Sequence, residues 1–133
     1  MSKFMRTGLV ALAIAFPILG AAPAQADEPT LIMLGGADDS RTITAATGDL
    51  VRVLLVAGHD EEGSWAWSDP ASSDTGVLQR RAGRPTRGGT AESIFTVVGP
   101  GRGELFSARS CVPDPGRDCP ADPVPWQVTI VAE

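Results

Sequence analysis

The sequence predicts an all-β fold: an immunoglobulin-like antiparallel sandwich of about eight strands, preceded by a signal peptide. Three observations predict it. Short runs alternate apolar and polar residues with a period of two, most clearly after Asp49, where Val51, Val53 and Leu55 share one face and Arg52 marks the other. Glycine and proline turns separate these runs at regular spacing. No long window after Asp27 carries a clean helical period.

The first stretch lies outside this fold. Lys3 and Arg6 open it, Gly8 to Gly20 is almost wholly apolar, and Ala24-Gln25-Ala26 forms a small-residue cleavage site. That is the three-part layout of a secretory signal peptide. The rival reading is a transmembrane anchor, but the apolar run is short, holds Pro17 and ends in small residues. No cysteine stands at the cleavage point, so a lipid anchor is not expected. The expected division is a signal peptide over 1–26, cleaved after Ala26, an N-terminal segment with a possible first strand over 27–40, and the sandwich over 41–133. The product is then secreted or periplasmic, with no stable membrane anchor.

The mature chain of 107 residues is the size of one domain. It carries nine arginines, no lysine and sixteen acids, a net charge of −7. Such a surface favours solubility and argues against nucleic acid or an anionic membrane as the main partner. A monomer is expected.

Both cysteines, Cys111 and Cys119, fall in the exported part, so they are expected to form a disulfide closing a loop of turn-forming residues. A metal site is the alternative, but two cysteines and one histidine at these spacings match no zinc pattern.

Each strand has its own signal. Thr30 to Leu34 is a candidate first strand, ended by Gly35-Gly36; Arg41 to Ala45 alternates, and Thr47-Gly48-Asp49 turns into the central run. His59 to Ser64 breaks the pattern with charge and glycine before Trp65-Ala66-Trp67 starts a new extended segment. Gly76 to Arg81 reads as a short strand, Arg84 to Gly89 as a basic, glycine-rich turn, and Glu92 to Val98 as a strand. Gly99-Pro100-Gly101 turns into Gly103 to Ser110, and Pro125 to Ala132 closes the chain. The predicted core is Val51, Val53, Leu55, Trp67, Leu78, Phe95, Val97, Leu105, Trp126, Val128 and Ile130.

Enzymatic chemistry finds little support. His59 is the single histidine; nothing near it resembles a nucleophile elbow, and Asp60-Glu61-Glu62 after it suits a solvated turn. One histidine is too few for a blue-copper site. The loop carboxylates lack the cleft that glycoside hydrolysis needs, and no calcium-loop spacing appears. No cofactor and no metal is expected. Charge does cluster: Asp60, Glu61 and Glu62 make one loop acidic, Arg80, Arg81, Arg84 and Arg87 make another region basic, and Asp114, Arg117, Asp118 and Asp122 mix in the disulfide loop. Solubility at strand ends accounts for such a pattern without any partner.

Arg41 to Ala57, RTITAATGDLVRVLLVA, resembles the opening of the chagasin family, secreted inhibitors of papain-like cysteine proteases. Trp65-Ala66-Trp67 after Gly63 is similar to the family's aromatic-x-Trp, and Arg87-Gly88-Gly89-Thr90 leading to Phe95 to its glycine-rich turn. Gly101 to Leu105 and the strand from Trp126 to Val131 resemble its later strands. The likeness covers about Arg41 to Glu133 and implies an immunoglobulin-like sandwich that docks end loops into a protease cleft. The inhibitory motifs differ. His59-Asp60-Glu61-Glu62-Gly63 stands where the family has Asn-Pro-Thr-Thr-Gly, and only Arg109 remains of its Arg-Pro-Trp. The partner-binding loops implied are those carrying His59, Asp60, Glu61, Glu62 and Gly63, then Arg87, Gly88 and Gly89, then Arg109, Pro113 and Arg117. Two functions are open: a protein-binding inhibitor of papain-like proteases, or a non-inhibitory secreted binding or envelope module.

Overall fold

A computed structural model describes residues 28–61, 63–119 and 122–133, with the backbone alone at 85–87. The proposed signal peptide and Glu62 lie outside the described residues. In chain order the strands are β1 (Leu31–Leu34), β2 (Thr42–Ala45), β3 (Leu50–Leu55), β4 (Gly58–Asp60), β5 (Gly63–Trp67), β6 (Ala71–Ser72), β7 (Leu78–Arg87), β8 (Thr90–Val97), β9 (Gly101–Val112) and β10 (Val124–Ala132). A single 3-10 turn, Gly36–Asp38, stands between β1 and β2 among the described residues. No helix among them is long and apolar enough to cross a membrane.

The strands form two sheets, ordered β1-β3-β8-β7 and β2-β10-β9-β5-β4, with β6 added beside β9. These sheets are mixed, which corrects the purely antiparallel expectation: β1 pairs with β3 in parallel, and β2 pairs with β10 in parallel. The cause is the route of the chain. After β1 it crosses to the other sheet to make β2, then returns to make β3, and two reversals leave β1 and β3 running the same way. Asp49 ties these pieces together. Its carboxylate accepts the Thr30 and Ala46 amides at 3.0 and 2.9 Å, in the turn where Gly48 takes a φ of 99°.

Both inner faces meet in one core. Val51, Val53 and Leu55 of β3 and Ala91, Phe95 and Val97 of β8 face Leu105, Trp126, Val128 and Ile130, with Leu78 between the sheets. Alternation produces this directly, because successive strand side chains point to opposite faces. Trp67 is the exception in the expected core. It is only partly buried, packed against the core's margin with its indole N–H donated to the Val56 carbonyl at 3.0 Å. Trp126 is fully enclosed and spends its indole N–H on the Gly35 carbonyl at 3.1 Å.

The expected basic turn at Arg84 to Gly89 also needs correction. Strand β7 runs on to Arg87, so the turn is Gly88-Gly89 alone. The pairing with β8 slips between Arg80 and Ala82 and again between Arg84 and Arg87. These irregularities, with Pro85 and exposed Arg81 and Arg84, blunt an edge strand that could otherwise pair with another chain. Arg80 does not join a basic patch: it pairs with Asp69 at 2.7 Å, and Asp69 also accepts the hydroxyl of buried Ser93 at 3.1 Å.

Candidate functional site

The acidic segment is a hairpin rather than an open loop. Asp60 pairs with Gly63 and His59 with Ser64, so the chain reverses direction between Asp60 and Gly63. Only glycine suits position 63. Its φ is 143°, and a Cβ there would meet the Val112 carbonyl oxygen at 2.9 Å and the Cys111 sulfur at 3.5 Å. The hairpin can therefore run close beside the end of β9, where Ser64 pairs with Val112 and Trp65 with Cys111.

Beyond β9 the disulfide loop folds back on the hairpin. Cys111 and Cys119 are bonded, their Cα atoms 5.8 Å apart. Arg117 donates from Nη1 to the Glu61 carbonyl at 3.0 Å, and His59 Nε2 stands 3.5 Å from the Asp114 carboxylate. The Trp65 indole N–H is donated to Asp60. His59 thus faces Asp114 across two loops in the open. Among the described residues no cluster of three potential metal ligands occurs.

The third loop joins through β5. Gly88 and Gly89 have φ values of 60° and 84°, as a two-residue turn between twisted strands demands. The Gly89 carbonyl accepts the Trp67 amide at 2.8 Å, and a Cβ on Gly89 would press on Ala66 at 3.0 Å. Thr90 Oγ1 accepts the Ala57 amide at 3.0 Å. So the hairpin tip and disulfide loop touch directly, while the Gly88-Gly89 turn is tied to the far end of β5. Pro113 is exposed on the disulfide loop, and the Arg87 side chain lies outside the described residues.

Arg109 lies on β9, within the strand expected over Gly103 to Ser110, and β9 runs on past it to Val112 before the disulfide loop begins. It pairs with Trp67 across β5, and its guanidinium sits over the Trp65 ring at 4.6 Å and the Trp67 ring at 5.9 Å. Its Nε is buried with no hydrogen-bond partner. Stacking worth about 0.5–2 kcal/mol offsets part of that cost. Sequence reading missed this group, since which tryptophan meets which arginine depends on the β5–β9 register. The one local signal was the aromatic-x-Trp spacing itself, which puts both rings on the same face.

Next to this stack the 3-10 turn packs Gly36 against Trp67. The Gly35 amide donated to Asp38, and then the Arg41 side chain, hold the Asp38 carboxyl below its usual range.

No protein-family model matches the sequence, and no curated protein does. Solved structures do match. The cysteine protease inhibitor EhICP2 from Entamoeba histolytica superposes with a TM-score of 0.54 at 14% identity, over 78% of this chain and 96% of that one. The chain has that inhibitor's fold. Amebosin aligns at a TM-score of 0.43 and 15% identity, over 79% of this chain and 99% of that one. PbICP-C, solved in complex with falcipain-2, aligns at 0.44 and 9% identity, covering 80% and 92%. The expected likeness to chagasin-like inhibitors therefore holds for the fold, and no sequence relationship of use accompanies it.

Proposed function

We propose that this chain is a secreted protein that binds a protein partner through the loop end of its sandwich, and that the partner is a papain-like cysteine protease. One observation chiefly supports the reading: on the fold of a solved cysteine protease inhibitor, the hairpin tip and the disulfide loop are cross-tied into one projecting surface. A surface ordered before binding loses little entropy on docking. The binding residues on this proposal are His59, Asp60, Glu61, Glu62 and Gly63 on the hairpin, Pro113 and Arg117 on the disulfide loop, Gly88 and Gly89 beside Arg87, and Arg109 behind them. Export by a signal peptide over 1–26 belongs to the same proposal, and a disulfide fits an oxidising compartment.

Inhibition on this reading is non-covalent occlusion of the cleft. The hairpin is acidic, so its carboxylates must be met by basic groups as water is excluded. A protease with a basic cleft rim is the preferred target, and a generic one is inhibited weakly at most. The test compares the wild-type chain with a variant in which Asp60, Glu61 and Glu62 are all serine, against papain-like enzymes with basic and acidic rims. Weaker inhibition of the basic-rimmed enzyme by the variant, with reduced sensitivity to salt, is the expected result. Absence of inhibition across the panel at micromolar concentration leaves the non-inhibitory binding module.

A further inference from the structure

We propose that Arg109 and the hollow beside it form a subsite for one acidic side chain, a glutamate or aspartate carboxylate carried by the protein partner. The inference rests on the reading that this end binds a protein, and it specifies the chemistry of one contact.

Arg109 is the half-buried arginine without a carboxylate among the described residues. Arg52, also half-buried, is paired with Glu92 at 3.3 Å, and Arg41 and Arg80 have acidic partners too. The remaining arginines with described side chains are exposed to water. Among the described residues Arg109 alone combines partial burial, a hold by two rings and the lack of a carboxylate partner; its Nε is buried out of reach, so the terminal nitrogens are the donors a ligand would meet. A guanidinium fixed by stacking is oriented in advance for a carboxylate, so little side-chain entropy remains to be lost.

The hollow fits one such group. It measures about 150 Å³ and is lined by Trp67, Val124 and Pro125 together with Gly36 and Asp39. The apolar walls can cover the methylenes of an acidic side chain while the guanidinium meets its head. Asp39 limits the charge that can enter, since a dianionic phosphate would enter a hollow whose lining already includes an acidic residue. A side chain is favoured over a chain-terminal carboxylate. Such termini are captured by free backbone amides, whereas the Gly35 and Gln127 amides here are already donated to Asp38 and Asp39 at 2.7 and 2.8 Å.

Three capped peptides test this on the full chain: acetyl-Gly-Glu-Gly-amide, acetyl-Gly-Gln-Gly-amide, and acetyl-Gly-Gly-Gly with a free C-terminus. The indole N–H resonances of Trp67 and Trp126 are followed by NMR. The glutamate peptide should shift Trp67 saturably in the millimolar range, the other two should shift it several-fold less, and R109Q should abolish the shift. Equal shifts from glutamine and glutamate peptides, a stronger response to the free C-terminus, or an unchanged response in R109Q would overturn the proposal. If R109Q does not fold, the glutamate–glutamine contrast on the unaltered chain decides alone. No protease enters this experiment. A chain that binds the glutamate peptide yet inhibits nothing sinks the inhibitor reading and keeps the subsite; one that inhibits but ignores the peptide does the reverse.

Discussion

Gly63 and Val112 lie so close that a single added carbon on Gly63 would sit 2.9 Å from the Val112 carbonyl oxygen. That closeness lets β5 begin its pairing with the end of β9 directly after Gly63. The backbone carbonyl cannot swing away as a side chain could, and φ at Gly63 is one that other residues rarely adopt.

Gly63→Val should therefore displace the hairpin at a cost of about 1–3 kcal/mol. Gly58→Ala, at the start of the same hairpin, has open space around it and should change stability by less than about 0.5 kcal/mol. Paired denaturant melts check the contrast. Equal losses in the two variants would show that the approach of Gly63 to β9 is not what fixes the hairpin.

The two inward tryptophans should respond differently to truncation. Trp126 is enclosed, so Trp126→Ala should cost about 3–5 kcal/mol, a large share of a typical domain's stability. Trp67 lies at the margin, so Trp67→Ala should cost clearly less while removing one ring from beside Arg109. Equilibrium unfolding of both variants gives the ranking, and the reverse order would contradict the placement of the core.

The disulfide should serve the loop rather than the core. Replacing Cys111 and Cys119 by serine should lower stability by about 2–3 kcal/mol or less in the chain-entropy model. The β signature in circular dichroism should remain, because the bond lies beyond the last core residues of β9. Loss of the whole β spectrum would mean that the bridge holds the sandwich itself. Free thiols in exported protein would contradict the bond.

Much of this architecture was legible because burial in a sheet leaves a period of two. Val51, Val53 and Leu55, or Trp126, Val128 and Ile130, announce their face without any partner in view. Pairing direction was not legible, since β1 and β3 become parallel only through a crossing between sheets that alternation does not encode. The extent of β7 was hidden by Arg84, Pro85 and glycine, which mark a turn by composition but here mark a blunted edge strand. At the loop end the three segments could be named from charge and turn residues. Their cross-ties, His59 to Asp114 and Arg117 to the Glu61 carbonyl, could not, because they join residues far apart in the chain.

The most direct measurement of the proposed inhibition is whether the bound chain shields a protease's catalytic cysteine. A papain-like enzyme with a basic cleft rim is incubated with the chain, and an active-site-directed epoxide then labels the cysteine. Labelling should slow in proportion to the complex formed, and the Gly63→Val variant should protect less at equal concentration. Labelling at the full rate while the chain is bound would place the contact outside the cleft and contradict inhibition by the loop end.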